Sequence, residues 1–397
     1  MINLVALPCL CVDVFDGTDE LRAGGEALNF AVHASKFEEF NVSILGAVGQ
    51  DSYAKFIMDS VSDKRIDVSH VRVEEDKVTA NNRTYLTADG DRYYKDDSWT
   101  GDIVDKMILN QDELDFIKKS EVVFIHFWAG CFEQIMDLKK NNNFRLAVDF
   151  VEYRNFKEME KYAPYIDYFL ISGEESILPI FEAFSKKYKG LFNASLADKG
   201  SVTYYNGEKY FVPADEALEI VDTTGCGDSY HSRLFNFEAF IDDTIRIIKA
   251  ARDNQIEVIY FQHDDGPGTG FSIGDEDFEI AEQVIPKEGE KIFIKNINSC
   301  FGNKDFTDYV KDDNTLMIVG LQTNFCIDAT VKSAFERGYK VIVPQGANST
   351  FDNDYMTGEE TYKYYNDMMW PKRFATCVSV DEAIKLMESS IGSCVRD

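Results

Sequence analysis

The stretch Ile220-Val221-Asp222-Thr223-Thr224-Gly225-Cys226-Gly227-Asp228-Ser229-Tyr230 constrains this chain more than any other. The apolar run Ala217 to Val221 reads as a strand. Two glycines one residue apart then let the backbone turn tightly and point N–H groups at an anion. Asp228 follows the second glycine, so its carboxylate sits beside whatever those amides bind, where a base that activates an attacking hydroxyl belongs. The plainer reading of the same residues is a glycine-rich strand-to-helix turn carrying a solvated Asp.

Upstream, Leu4 to Leu7 reads as a buried strand and Glu26 to Phe37 as a helix behind Gly24-Gly25, a pair that permits close approach of a ligand. Val42 to Val48 is a second strand, followed by Gly49-Gln50-Asp51 and a helix from about Ser52 to Val61. Val71 to Tyr94 is β-branched and aromatic around Asp89-Gly90, which predicts a small hairpin layer. From Glu121 the strands Val122 to Phe127, Arg145 to Phe150, Tyr168 to Ile171 and Phe192 to Leu196 alternate with helical stretches, the pattern of a parallel sheet covered by helices. Asn206-Gly207 between Tyr-rich arms predicts a hairpin.

With 397 residues, two domains are expected. Apolar residues at 45%, with 20 Tyr and 30 Phe, supply ample core and exclude disorder. A net charge of −29 offers no basic stripe to a phosphate backbone, so nucleic acid is not an expected partner. The eight cysteines show no paired C-x-x-C spacing, which suits a reducing cytoplasm. Leu4 to Val12 contains Pro8, lacks a basic flank and runs into Asp13 and Asp16, so neither a signal peptide nor a membrane span is expected. The five histidines lack zinc-ligand spacing.

Beyond Tyr230 a second α/β pattern begins without a Gly-, Ser- or Pro-rich linker. Phe240 to Arg252 has helical apolar spacing. Strands are expected at Glu257 to Gln262, Lys291 to Ile294, Thr315 to Gly320 and Tyr339 to Val343, and helices at about Cys326 to Arg337 and Val380 to Met387, the last capped by Ser379. Cys326 falls at a strand-to-helix turn, where the helix dipole favours a thiolate, and Lys295 ends a neighbouring strand. Taken alone, Cys326 also reads as a buried structural cysteine.

Asp222 to Ser229, together with Arg22-Ala23-Gly24-Gly25-Glu26-Ala27-Leu28-Asn29 and Gly46-Ala47-Val48-Gly49-Gln50-Asp51, resembles the PfkB or ribokinase-like sugar kinases, the fructosamine kinases above all. That resemblance implies sugar contacts at Asp13, Gly24, Gly25 and Asn29, with the hairpin layer near 71–95 as a lid. It also implies Asp228 as the base, an anion hole at Gly225, Cys226 and Gly227, and ATP with Mg²⁺ near Glu175. The chain departs from the family at Pro8-Cys9-Leu10, where polar pocket groups are expected, at Ser172 and at Ala197. The helical segment that completes the nucleotide pocket is missing after Asp228, so the kinase reads as C-terminally truncated.

Gly320 to Ser349, with Gln262-His263, Lys295 and the neighbourhood of Phe301, resembles the isochorismatase-like cysteine hydrolases. The family's Cys and Lys fall on Cys326 and Lys295, and the resemblance gives His263 no catalytic role. The family's Asp belongs on a first strand that is missing here, and Asp222 is the available replacement.

The expectation is therefore two fused α/β domains. Residues 1–230 form a truncated ribokinase-like kinase, and 231–397 form an isochorismatase-like three-layer α/β/α hydrolase with a parallel sheet that borrows strand 217–222. The kinase would take a sugar or fructosamine with ATP and Mg²⁺, and the hydrolase a small amide-like substrate without a cofactor. Two alternatives stay open: a working hydrolase on a kinase scaffold, or a recombined ligand-binding protein without catalysis. A sheet edge left by truncation favours self-association.

Overall fold

Leu4, Val5, Ala6 and Leu7 are apolar in succession, as a strand covered on both faces must be, and in the computed structural model each is at most 1% exposed at the centre of the largest sheet. The structure describes residues 2–18, 20–37, 40–86, 92–214, 226–269, 271–275, 278–311 and 315–394. The expected strand 217–222, and with it Asp222 and Gly225, lies outside them. The chain forms two compact units, Met1–Leu234 and Phe235–Asp397.

The first unit begins β1 (Ile2–Leu7), β2 (Cys11–Phe15), β3 (Leu21–Gly24), α1 (Glu26–Ala34), β4 (Phe40–Gly49), α2 (Ser52–Val61) and β5 (Ile66–Glu74). It continues β6 (Ala80–Leu86), β7 (Arg92–Tyr93), β8 (Trp99–Thr100), α3 (Asp102–Asp105), α4 (Gln111–Ile117), β9 (Val122–His126), α5 (Phe132–Lys139) and β10 (Arg145–Asp149). Then follow α6 (Phe156–Tyr162), β11 (Tyr168–Ser172), α7 (Leu178–Lys187), β12 (Leu191–Ser195), β13 (Ser201–Tyr205) and β14 (Glu208–Val212). The large sheet has the order β14-β13-β12-β11-β10-β9-β1-β4-β5. It is parallel from β5 to β12 and ends in the antiparallel hairpin β13–β14. Asn206 and Gly207 turn that hairpin with φ of 51° and 86°, the positive values such a two-residue turn requires. Phe150, Phe169 and Phe192 stack across β10 to β12 with ring centroids 5.0 and 4.9 Å apart.

The small layer differs from the hairpin expected at 71–95. Val71 to Glu74 stay in the large sheet, because β5 keeps its register with β4 out to Gly49↔Glu74. The layer instead has the order β3-β2-β6-β7, with β8 against β6, so Cys11–Phe15 and Leu21–Gly24 belong to it. Residues 87–91 lie outside the description.

The helix expected from Phe240 starts much earlier: α8 runs Cys226–Asp253 and carries Asp228 in its first turn. Its start is pinned to the sheet by the Tyr230 hydroxyl, which accepts from Asn193 Nδ2 at 2.9 Å and donates to Ser201 Oγ at 2.8 Å. The division between the two units falls inside this helix.

The second unit contains β15 (Ile259–His263), β16 (Lys291–Lys295), α9 (Lys304–Tyr309), β17 (Thr315–Met317), β18 (Gly320–Leu321), α10 (Asp328–Glu336), β19 (Lys340–Gln345), β20 (Asn348–Ser349), α11 (Gly358–Lys363), β21 (Thr376–Ser379) and α12 (Val380–Cys394). Every strand pairing here is parallel. In place of one continuous sheet, the described residues give three hydrogen-bonded groups: β15-β16, β17-β19-β21 and β18-β20. Val331, Ala334, Val343 and the fully buried Trp370 centre its core. Ser379 and Glu382 exchange hydrogen bonds at the start of α12, as a capping box does. No helix among the described residues is long and apolar enough to cross a membrane.

Candidate active sites

In the first unit the candidate residues gather past the C-terminal ends of the parallel strands, where ligands bind in open α/β sheets. Gly24 ends β3 and Gly25 precedes α1 with φ of 101°. A Cβ on Gly24 would lie 3.1 Å from Asp13 Oδ2, and one on Gly25 would lie 2.6 Å from the Cys9 carbonyl oxygen. Gly25, with its positive φ and this backbone approach, therefore needs glycine, while a Cβ at Gly24 would press on the Asp13 carboxylate. Asn29, one turn into α1, donates from Nδ2 to Asp228 Oδ2 at 3.0 Å. Asp13, Gly24, Gly25, Asn29 and Asp228 thus come together from three separate stretches of chain.

Asp228 is pushed well above the ordinary carboxylate range, by burial first and then by the charges of Asp149 and Glu26. Asp149, the last residue of β10, is raised by burial to about 7. His231, one turn beyond Asp228, is lowered by burial to about 4, and its Nδ1 lies 3.6 Å from Asp149 Oδ2. Ligand atoms of Asp149, Asp228 and His231 lie within 4.8 Å of one another. Asp149 and His231 are not among the residues expected from the sequence, although a carboxylate ending an apolar strand is a visible signal.

Cys226 and Gly227 open α8, where backbone N–H groups have no helical partner. A Cβ on Gly227 would meet nothing within 4 Å, so the space beside it is open. Glu175 follows β11 and is ion-paired with Lys199 Nζ at 2.8 Å; among the described residues no hydrogen bond joins it to Asp228. Ala197, where the resemblance places glycine, sits at φ 53° in the next strand-end turn.

In the second unit β15 and β16 run in register with His263 opposite Lys295. Lys295, 6% exposed, places Nζ 3.1 Å from Cys326 Sγ, 2.7 Å from His263 Nδ1 and 3.2 Å from the Ile297 carbonyl oxygen. Cys326 Sγ lies 3.9 Å from His263 Nδ1 and 3.8 Å from Asn298 Oδ1. Asp265 Oδ1 approaches the other ring nitrogen, His263 Nε2, at 2.8 Å. His263, to which the resemblance gives no catalytic role, and Asp265, which is not among the expected site residues, both stand in one chain of contacts with the thiol. Cys326 belongs to a wide turn, Thr323–Ile327, that precedes α10 and is closed by the Ile327 N–H to Gln322 carbonyl bond at 3.1 Å. Lys295 also lines a cleft of about 320 Å³, with Asp264, Asn296 and Asn303.

Residues 14–235 match the model of the pfkB family of carbohydrate kinases, and residues 223–382 match the isochorismatase domain. Fructoselysine 6-kinase of Escherichia coli is 23% identical over 233 residues, which is 58% of this chain and 87% of that protein. The uncharacterized isochorismatase family protein YddQ of Bacillus subtilis is 30% identical over 121 residues, 30% of this chain and 67% of that protein. A solved structure of a putative ribokinase from Agrobacterium tumefaciens superposes with a TM-score of 0.49 at 16% identity, covering 58% of this chain and 82% of that one. Both families indicate enzymatic roles. The chain belongs to the pfkB family of carbohydrate kinases through its first part and to the isochorismatase family through its second, the two matches overlapping in residues 223–235.

Proposed function

We propose that the first unit transfers the γ-phosphoryl group of ATP to a hydroxyl of a fructosamine-class sugar. The observation that carries this reading is the 3.0 Å bond from Asn29 to Asp228, which joins the expected sugar-contact group to the expected base. Asp228 takes the proton of the attacking hydroxyl, and Asn29 holds its carboxylate in place. Asp13 and the backbone at Gly24 and Gly25 bound the sugar side. The N–H groups of Cys226 and Gly227 face the phosphate, at the start of a helix whose dipole favours an anion, and the open space beside Gly227 fits that role; Gly225, the third expected donor, lies outside the described residues. Glu175 would meet the magnesium that accompanies ATP, and Lys199 beside it supplies a positive charge to the phosphates. When bound, Mg²⁺ spreads the charge of the phosphates. The similarity to fructoselysine 6-kinase supports a fructosamine over a simple hexose.

The second unit reads as a cysteine hydrolase acting on a small amide-like substrate, carried by the 3.1 Å approach of Lys295 Nζ to Cys326 Sγ. With Nε2–H directed to Asp265, His263 Nδ1 faces both Lys295 Nζ at 2.7 Å and the thiol sulfur at 3.9 Å, and its lone pair takes the thiol proton as Lys295 turns to the substrate carbonyl oxygen. Cys326 sulfur then bonds to the carbonyl carbon, the carbonyl electron pair moves to oxygen beside Lys295, and the C–N bond breaks with the nitrogen taking the proton from His263. Water hydrolyses the thioester. Asp222 remains the candidate for the family's acid.

A cytoplasmic location agrees with the free cysteines at 9, 11, 131, 300, 326 and 377. Edge strand β14, exposed along its length with Phe211 and Val212 outward, is where self-association is expected. The test is phosphoryl transfer from ATP to fructoselysine by the purified chain, with glucose and ribose as controls. Transfer to fructoselysine supports the reading; no transfer to any of them overturns it.

A further inference from the structure

A second cluster lies in the first unit, adjoining the Asp149, Asp228 and His231 group but built from different residues. Cys9 follows β1, Glu26 opens α1 and His126 ends β9, so three elements meet at the same sheet edge. One ligand atom from each, the Cys9 Sγ, a Glu26 carboxylate oxygen and a His126 ring nitrogen, lies within 4.8 Å of the other two. Cys9 is 3% and His126 4% exposed. Neither ring nitrogen of His126 has a hydrogen-bond partner among the described residues. A buried imidazole with both nitrogens unpaired costs free energy unless something else engages it.

We propose that Cys9, Glu26 and His126 form a three-ligand site for a zinc-class divalent cation. Sulfur, imidazole nitrogen and carboxylate oxygen are together the donor set such a cation selects over Mg²⁺ or Ca²⁺. The ligands stand on the ends of β1 and β9 and the first turn of α1, so their spacing is held by the core. A Cβ on Gly25 would lie 3.0 Å from Cys9 Sγ, so glycine there keeps the approach to the thiol clear. Binding would replace the thiol proton with the metal and give His126 the partner it lacks. Three protein ligands leave a fourth position for water or for a hydroxyl or amine of a bound sugar derivative. This would answer the loss of polar groups at Pro8-Cys9-Leu10, because the pocket would gain a Lewis acid there. The site stands on its own geometry and does not depend on either proposed activity.

The test is titration of the chelator-treated full chain with Co²⁺, read by electronic absorption, and zinc X-ray absorption of the zinc-loaded protein. One equivalent of Co²⁺ with a thiolate-to-cobalt charge-transfer band is expected, as is one sulfur in the zinc shell. Cys9→Ser removes the band, His126→Ala and Glu26→Gln weaken Co²⁺ binding by about 10–100-fold or more, and Cys326→Ser leaves it unchanged. No stoichiometric binding by the folded wild type overturns the proposal, as does a zinc shell without sulfur. A band that survives Cys9→Ser or vanishes in Cys326→Ser also overturns it. If Cys9→Ser does not fold, the wild-type zinc shell and the Cys326→Ser titration still decide.

Discussion

Asn29 Nδ2 donates to Asp228 Oδ2 at 3.0 Å although 199 positions separate the two residues. One sits in the first turns of α1 and the other in the first turn of α8, so the bond brings two helix N-terminal regions to one carboxylate. The phosphoryl transfer proposed for the first unit depends on that carboxylate.

Asp228→Asn should retain ATP binding and lower phosphoryl transfer by about 10²–10⁴-fold, the span of a lost general base. Burial, Asp149 and Glu26 raise its pKa, so transfer by the wild type should increase with pH through that raised value. A kcat profile that is flat with pH, or an undiminished Asn variant, contradicts the base assignment.

Asp149 and His231 predict a pH signature in stability. Asp149 is raised from 3.8 to about 7, so between these values the folded state holds more protons than the unfolded state and stability falls as pH rises. His231 is lowered from 6.5 to about 4, so its contribution runs the other way, and stability falls as pH drops from 6.5 to 4. Asp149→Asn removes the first effect and also relieves Asp228, which the Asp149 charge raises, a change of the same sign. The variant should gain on the wild type as pH rises from about 4, levelling above about 7 at a difference on the order of 1–4 kcal/mol. Denaturant unfolding across that range measures it.

In the second unit, His263→Ala and Asp265→Asn should lower kcat for amide hydrolysis, His263→Ala by about 10²–10⁴-fold and Asp265→Asn by less, with KM little changed. Lys295→Met should slow alkylation of Cys326 near neutral pH. Alkylation at the wild-type rate would show that the 3.1 Å contact does not activate the thiol.

Asp51 tests whether a motif residue is structural. It caps α2 by accepting from Ala54 N at 2.9 Å, and it accepts from Thr79 N at 2.8 Å and Thr79 Oγ1 at 2.7 Å. Burial raises its pKa, but bonds from Thr79 and Ala54 outweigh burial and the net shift is downward. Its contribution is therefore present above the unfolded carboxylate pKa and is lost as pH falls through the lower folded value. Asp51→Ala should cost about 1–2 kcal/mol of stability and leave kinetic constants near wild type.

Ala197 holds φ 53°, a region that costs a non-glycine residue about 1–2 kcal/mol. Ala197→Gly should raise the unfolding midpoint, less the entropy glycine adds to the unfolded chain.

How far these features were legible in the sequence follows from how locally each is encoded. Leu4 to Leu7 and Val122 to Phe127 announce themselves because strands buried on both faces must be apolar throughout. Asn206-Gly207 specifies its own turn, and Ser379 with Glu382 its own cap. The pairing of Lys295 with Cys326 was legible from their positions at strand ends and from the family resemblance, but the spacing of the residues could not show that His263 joins them, since that depends on the register of β15 against β16. Asp149, His231 and His126 were missed for the same reason: each is an isolated polar residue at an element end, and only the packed sheet edge gives it neighbours. The lid was misplaced because β5 alternates β-branched with polar residues, and composition alone does not say with which sheet a strand pairs.

The most direct test of two chemistries in one chain is a crossed pair of assays on wild type, Asp228→Asn and Cys326→Ser: ATP-dependent phosphorylation of fructoselysine and hydrolysis of a panel of small amides. The account predicts that Asp228→Asn loses only phosphorylation and Cys326→Ser only hydrolysis. Phosphorylation unchanged in Asp228→Asn, or hydrolysis unchanged in Cys326→Ser, would contradict it.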